Sequence, residues 1–192
     1  MSKLAGVLIV LAALAGCAHS SVTKSIKPRP GPENIPNARV FVMQTIGAQR
    51  TVMENGRTIQ KVQGFPPSAG RAITDRVLDT VRQRHPEAEL VDIPFIGLAI
   101  TTALDRGATH VIVPEVKDWR DAETQYTGVR DRVEIELRLV QLRPHTTIAA
   151  VTFRKTNGFL AVHDESPTRL IDNSFRDAVR KLLGERRSER EV

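Results

Sequence analysis

The spacing of apolar residues changes several times between residues 38 and 184, and each change predicts another strand or helix. Short apolar runs and strict alternation indicate β-strands, whereas apolar residues that recur every three or four positions indicate helices. The predicted strands are 38–43, 89–93, 109–113, 133–139 and 147–154. The predicted helices are 68–84, 95–106 and the segment from Ser166-Pro167 to Gly184. The helix at 95–106 is so apolar that we expect it to be well buried.

The element order is therefore βαβαβββα, which predicts one domain of the α/β class, in the mixed α+β sense. We expect the first three strands to be parallel, because right-handed crossovers connect them. The last two strands are expected to form an antiparallel hairpin at one edge, giving a single mixed sheet of about five strands with three helices. Apolar and charged residues alternate along 133–139, so one face of that edge should meet water or a partner.

The connection between the first strand and the first helix, 46–67, is longer than most connections in compact domains. Within it, Asn55-Gly56 lies between β-prone residues, and this pair is a strong local signal for a tight hairpin turn because both residues tolerate positive φ. We expect a small β-ribbon or a mobile loop at this place.

The start of the chain predicts an export signal. Lys3 supplies a positive charge, and the apolar run 4–15 is shorter than the ~20 residues that span a bilayer. Leu14-Ala15-Gly16-Cys17 then has the pattern of a bacterial lipobox, in which the cysteine thiolate takes up a diacylglyceryl group before cleavage. Residues 1–16 are thus expected to be cleaved, leaving Cys17 as the lipidated first residue. The alternative is an ordinary export signal followed by a chance cysteine.

The residues after Cys17 predict an address and a tether. Ala18 follows the cysteine in place of the aspartate that favours inner-membrane retention, so we expect an outer-membrane anchor with the domain 38–184 facing the periplasm. Residues 17–37 are predicted to form a Pro-rich, extended tether. The tail 185–192 is charged, and the formal net charge of the chain is a modest +6 with interspersed signs, so nucleic acid is not an expected partner at this address.

A candidate binding surface is predicted where two unusual segments, 46–67 and 114–132, follow parallel strands, because ligands of open α/β sheets usually lie at this edge. Aromatic and arginine side chains often anchor interfaces. The candidate binding residues are Trp119, Arg120, Asp121, Tyr126, Arg130, Asp131, Arg132 and Phe65. In the alternative interpretation, 114–132 is a long β-hairpin in which Trp119 and Tyr126 only pack across the strands.

The sequence shows no catalytic constellation and predicts no cofactor. Cys17 is consumed by lipid, no serine stands in a Gly-x-Ser-x-Gly elbow, and the histidines have no metal-ligand spacing. Four acidic residues are candidates for a metal cluster or a catalytic acid pair, namely Glu115, Asp118, Asp121 and Glu123. Neighbouring Lys117 and Arg120 favour ordinary salt bridges instead.

Residues 108–142 resemble a known family. The stretch runs Ala108-Thr109-His110-Val111-Ile112-Val113-Pro114-Glu115-Val116-Lys117-Asp118-Trp119-Arg120-Asp121, followed by Thr124, Gly128 and Arg130-Asp131-Arg132-Val133. It is similar to an uncharacterised family of Gram-negative lipoproteins whose domain has no known function, and the similarity extends from the first strand to the last helix. In that family's pattern a tryptophan stands where this chain has Tyr126. The resemblance implies a lipoprotein and supplies no activity.

These observations favour a non-enzymatic interaction module that binds an envelope protein through segments 46–67 and 114–132. The alternative is a lipoprotein that binds a small ligand or cell-wall glycan at the same place, and an envelope enzyme ranks third. The sequence does not give the oligomeric state.

Substituting Cys17→Ser tests the anchor. We expect the variant to lose lipid attachment and signal processing, since serine cannot form the thioether. Detergent-phase partitioning and the mass of the protein check both effects. A variant that stays membrane-bound and fully processed would show that Leu14-Ala15-Gly16-Cys17 is not a lipobox.

Overall fold

The computed structural model describes residues 19–24, 38–55, 57–120, 131–156 and 167–184. Within these ranges the strands are β1 (His19–Lys24), β2 (Val40–Met43), β3 (Ile46–Gly47), β4 (Gln49–Glu54), β5 (Arg57–Val62), β6 (Glu89–Val91), β7 (His110–Arg120), β8 (Arg132–Gln141) and β9 (Thr146–Thr156). The helices are α1 (Pro67–Arg82), α2 (Ile96–Asp105), α3 (Asn173–Leu183) and a short 3-10 helix, Pro167–Leu170. None of the helices in these ranges combines the length and hydrophobicity that crossing a bilayer requires.

The main sheet is mixed, as predicted. Its strand order is β1-β9-β8-β7-β2-β6, with β3 pairing β7 beyond the end of β2. Strand β2 runs parallel to both β6 and β7, whereas β7, β8, β9 and β1 are antiparallel in turn. The three parallel strands, the antiparallel hairpin and the element order βαβαβββα are therefore confirmed for the strands that were predicted. Strands β4 and β5 form a separate antiparallel hairpin.

The hydrophobic core lies on both faces of this sheet. On one face, α1 and α3 cover alternate residues of the central strands, including Ile135, Leu137 and Phe153. The rings of Phe153 and Phe175 meet edge to face, with centroids 5.2 Å apart, a preferred geometry for aromatic pairs. On the other face, α2 covers a smaller cluster around Phe41 and Met43. Alternation along β8 buries one row of its residues and leaves the other row half-buried, as its sequence predicts.

Strand β7 is much longer than the predicted strand 109–113. It continues to Arg120, and its whole length pairs with β8. The register shifts between Val116 and Asp118, where a β-bulge adds a residue. The charged residues beyond Pro114 indicated a loop, but in the fold they form cross-strand pairs. The long hairpin that we considered as an alternative is therefore confirmed through Arg120 and Arg132.

The predicted tether is wrong for residues 19–24. These residues form β1, which pairs with the outer edge of β9 in the register His19↔Thr156 to Lys24↔Val151. An unpaired sheet edge offers free backbone donors and acceptors, and a polar Ser/Thr-rich segment can satisfy them without contributing an apolar face. The sheet therefore begins far upstream of residue 38. The rest of the predicted tether, 25–37, lies outside the described residues, as do Cys17, the signal 1–16 and the tail 185–192.

The last helix begins later than predicted. A 3-10 helix occupies Pro167–Leu170, and α3 starts after Asp172, whose side chain accepts a hydrogen bond from the Ser174 amide at 2.9 Å. The carboxylate of Asp172 also accepts a hydrogen bond from Lys155 on β9 at 2.6 Å. Asp172 is thus an N-cap that is also tied to the sheet. At the other end, Gly184 adopts a φ of +102° and terminates the helix as predicted.

Gly47 is the glycine at which a side chain would be least tolerated. A Cβ atom there would collide with the Gln63 carbonyl oxygen and lie 2.8 Å from Val62 Cγ1. We expect Gly47→Ala to lower the free energy of unfolding by roughly 1–3 kcal/mol, because the hairpin base would have to move. Gly64→Ala is the matched control, since nothing lies within 4 Å of its Cβ position. Urea unfolding followed by Trp119 fluorescence measures both variants, and equal losses would contradict the close-approach explanation.

Candidate interaction surface

The chain leaves the sheet at the ends of the parallel strands β2 and β6, beside β7, and we call the described residues there, 44–66 and 92–98, the rim. From β2 the chain continues into β3, which pairs with β7 at Glu115 and Val116. The Ala48 amide donates to the Val116 carbonyl at 2.9 Å, and the Gln63 amide donates to the Ala48 carbonyl at 2.8 Å. These bonds attach the β4–β5 hairpin beside β7. The predicted proximity of 46–67 and 114–132 is therefore confirmed for their described residues.

The β4–β5 hairpin is exposed along most of its length. Asn55 in the turn has a φ of +50°, in agreement with the turn that Asn55-Gly56 predicts. Met53 and Val62 have exposed fractions of 71% and 62%. A two-stranded ribbon alone is marginally stable in water, and the Glu54–Lys61 ion pair at 2.7 Å lies on its surface, where such pairs contribute little. The hairpin therefore offers apolar side chains and backbone edges to a partner.

Helix α2 also presents apolar side chains to the surface, which corrects the expectation that it is well buried. Phe95, Ile96 and Leu98 have exposed fractions of 70%, 37% and 57%. The buried residues of α2 are Ala99, Ile100 and Ala103. Because two of these are alanines, the helix contacts the sheet along a narrow stripe, and its bulkier side chains point away. Phe95 lies four residues after the end of β6, so this apolar patch belongs to the rim.

Two of the predicted binding residues, Trp119 and Phe65, pack against the core. Both are partly buried against the cluster beneath α1 and α3. The bulge in β7 sets Trp119 on this face, opposite Val133. Gly70 in α1 leaves room for the Phe65 ring. Trp119 thus packs against the core, and its Nε1 atom is buried without a hydrogen-bond partner among the described residues. Tyr126, its cross-strand partner in the packing interpretation, lies outside the described residues.

Three of the remaining predicted site residues lie together, where β7 ends and β8 begins. Arg120 is exposed at the end of β7, and Asp131 is half-buried just before β8. Arg132 forms ion pairs with Asp118 at 3.2 Å and Glu134 at 3.0 Å. Three predicted residues lie outside the described ranges, namely Asp121, Tyr126 and Arg130.

The sheet face that continues beyond α2 carries an ion-pair ladder. Its members are Glu115, Lys117, Asp118, Arg132, Glu134, Glu136, Arg138 and Arg154. Arg138 binds Glu115 at 2.8 Å, and Lys117 bridges Glu115 and Glu136 at 2.9 Å each. Glu134 accepts two hydrogen bonds from Arg154 at 2.9 Å. The ladder has four charges of each sign, so its members neutralise one another.

Two of the four acidic residues that were candidates for a metal cluster, Glu115 and Asp118, belong to this ladder. Glu115 pairs with the neighbouring Lys117, as predicted, whereas Asp118 pairs with Arg132 on β8. Asp121 and Glu123 lie outside the described residues. Within the described ranges, no group of three or more His, Cys, Asp or Glu side chains is placed to hold a metal ion.

The ladder also shifts the pKa values of its members. Hydrogen bonds from Arg154, and then from Arg132, lower the pKa of the Glu134 carboxyl against the opposing effect of burial. Burial tends to lower the pKa of the Lys117 amine, but hydrogen bonds to Glu115 and Glu136 raise it overall. Both groups therefore stay charged over a wider pH range than usual, which keeps the ladder intact near neutral pH.

Comparisons with known proteins show the fold. No family model matches the chain, and no curated protein matches it either. A PelC dodecamer from Paraburkholderia phytofirmans has a TM-score of 0.60 at 14% identity, covering 88% of this chain and all of that one. A second PelC dodecamer with one substitution gives 0.57 at 15% identity, with the same coverage. At such low identity these similarities establish a common fold and nothing more.

A lipoprotein from Neisseria meningitidis is a more distant neighbour. It has a TM-score of 0.41 at 9% identity and covers 77% of this chain and 99% of its own. This score is too low to support any conclusion. None of these three proteins is named for an enzymatic activity. The resemblance of 108–142 to an uncharacterised lipoprotein family stays a prediction.

The lowered pKa of Glu134 gives a pH-dependent prediction. Because this pKa lies below its ordinary value of 4.5, the carboxylate stabilises the fold above that value, and the stabilisation is lost as pH falls through the folded-state pKa. We expect Glu134→Gln to lower the free energy of unfolding by about 1 kcal/mol near pH ~7 and by less near pH ~3. Urea unfolding at both pH values measures this difference. Asp75→Asn, at an exposed helix position, is the control, and a pH-independent loss for Glu134→Gln would contradict the account.

Proposed function

We propose that this protein is a lipoprotein of the bacterial outer membrane, anchored through Cys17 with its domain in the periplasm. There it acts without catalysis, as a module that binds other proteins through the rim. No cofactor takes part, and the ring of Trp119 serves the fold more than recognition. The contact residues that we propose, Met53, Val62, Phe95 and Leu98, therefore differ from those expected from the sequence.

The observation that carries this proposal is the group of exposed apolar side chains at the rim. Met53 and Val62 on the hairpin, and Phe95 and Leu98 beside the sheet, are each more than half exposed. Apolar side chains exposed in patches often mark interaction sites, and here they lie on two elements, the hairpin and the start of α2. The ion-pair ladder, in contrast, is neutralised within the chain and has little charge left to attract a partner.

A second copy of the chain is the partner that we favour. Two solved structures with the same fold are dodecamers of PelC, which supports assembly as a property of this kind of domain. Here the hairpin and the α2 patch are two different apolar surfaces. Contact between the hairpin of one copy and α2 of the next is a head-to-tail contact, and repeated contacts of this type form a ring when the rotation between copies closes. A different envelope protein that uses the same surface is the broader form of the proposal.

Two charge substitutions at the rim test the proposal. We expect Leu98→Asp and Met53→Asp each to dissociate the assembly, because a carboxylate in an apolar contact must be desolvated without a partner. The mass of the detergent-solubilised protein is measured by light scattering, with chemical crosslinking in intact cells as a second readout.

Arg71→Ala is the matched control. It changes the net charge by the same amount as Leu98→Asp, at an exposed position of α1 on the other face of the sheet. It should leave both readouts unchanged. A wild-type chain that is monomeric and forms no protein crosslinks would contradict the proposal, and would favour the alternative of a lipoprotein that binds a small ligand or wall glycan.

A further inference from the structure

The end of the sheet nearest to the predicted lipid anchor is defined by one register row. His19 of β1 lies opposite Thr156 of β9, Thr156 lies opposite Arg132 of β8, and Arg132 lies opposite Arg120 of β7. Four strands therefore end, or begin, at the same level. We call this level the terminal row. The opposite end of the same strands is the β8–β9 turn, where Arg143 and His145 are exposed.

The anchor residue is close to this row. Cys17 precedes His19 by two residues, and two extended residues span at most about 7 Å. Because β1 is hydrogen-bonded to β9 from His19 onward, the Pro-rich segment lies after this attachment and cannot lengthen the connection to the lipid. Acyl chains on Cys17 would hold the terminal row at the bilayer surface, and the β8–β9 turn would lie about 30 Å away along the strands.

The charges of the row support contact with lipid headgroups. Arg120 and Arg132 stand directly opposite each other on β7 and β8, and like charges in this position destabilise a sheet. Asp118 and Glu134 neutralise Arg132, whereas Arg120 has no ion-pair partner within the described ranges. An anion at Arg120 would remove the mismatch, and a lipid phosphate is a good hydrogen-bond acceptor for arginine.

We propose that the domain stands on the membrane by its terminal row, with Arg120 facing the phosphates of the lipid headgroups and the β8–β9 turn pointing away. The proposal rests on the lipid anchor at Cys17 and is otherwise independent of protein binding at the rim. It assigns to Arg120 a role in orienting the domain on the membrane. It also places the domain directly at the bilayer surface, whereas the prolines suggested a long spacer between the domain and the lipid.

Site-specific fluorescence quenching tests this orientation. The full-length gene is expressed so that the lipidated protein forms, and a cysteine is introduced either in the terminal row, as Thr156→Cys, or in the β8–β9 turn, as His145→Cys, so that Arg120 stays intact. Since Cys17 is the only native cysteine and its sulfur is occupied by lipid, the new thiol alone takes the fluorophore. Each protein is reconstituted in phosphatidylethanolamine–phosphatidylglycerol vesicles in which a fraction of the lipids carries a nitroxide quencher at the headgroup. Only outward-facing protein is compared.

We expect several-fold stronger quenching at position 156 than at position 145. Equal quenching, or stronger quenching at position 145, would overturn the proposal. A third protein, with a flexible ten-residue insert between Ala18 and His19 and the label at position 156, should lose part of its quenching, because the orientation depends on the short connection. No change with this insert would also count against the proposal.

Mass spectrometry of each preparation separates the two levels of failure. A chain whose Cys17 is not acylated would refute the anchor and, with it, this orientation. An acylated chain with equal quenching at both positions would refute the orientation alone. Circular dichroism confirms that the labelled proteins are folded.

Discussion

The structure depends on strand β7, because it satisfies hydrogen bonds along both of its edges in two different ways. On one side it pairs in parallel with β2 and then β3, and on the other it pairs with β8 in antiparallel register over its whole length. This dual pairing joins the parallel and antiparallel halves into one sheet. The bulge after Val116 then turns Trp119 toward the core and Asp118 toward the ion-pair ladder. The positions of the hairpin base and of Arg120 follow from the same register.

Many of the described charged residues pair with one another, whereas several apolar side chains are exposed, and this is the reverse of what the sequence suggests. The charged residues of segment 114–132 are the conspicuous feature of the sequence, yet those that the structure describes largely pair within the chain. Such pairs fix the register of the outer strands, and removing one partner exposes the other. Among the described residues, the exposed large apolar side chains lie on the hairpin and at the start of α2.

The sequence predicts the mixed sheet, its helices and the proximity of 46–67 to β7, because these follow from local periodicity and from the handedness of crossovers. Three features were not predictable in this way. Strand β7 extends through charged residues, some of whose partners are distant in the sequence. Arg138, for example, is 23 residues from its partner Glu115. Strand β1 is short and polar, and its partner, β9, is more distant from it in the sequence than any other strand of the sheet. The exposure of Leu98 was missed because a helix that is apolar on all sides looks the same whether the fold or a partner covers it.

We propose that protein covers the apolar side chains of the rim in the cell, and photo-crosslinking tests this proposal most directly. A photo-reactive amino acid is placed at Leu98, with Arg71 as the reference position, and adducts are identified by mass spectrometry after irradiation of living cells. We expect a dominant adduct at position 98, with a second copy of the chain or a single envelope protein, and no adduct at position 71. The absence of a protein adduct at position 98, or equal adducts at both positions, would contradict it.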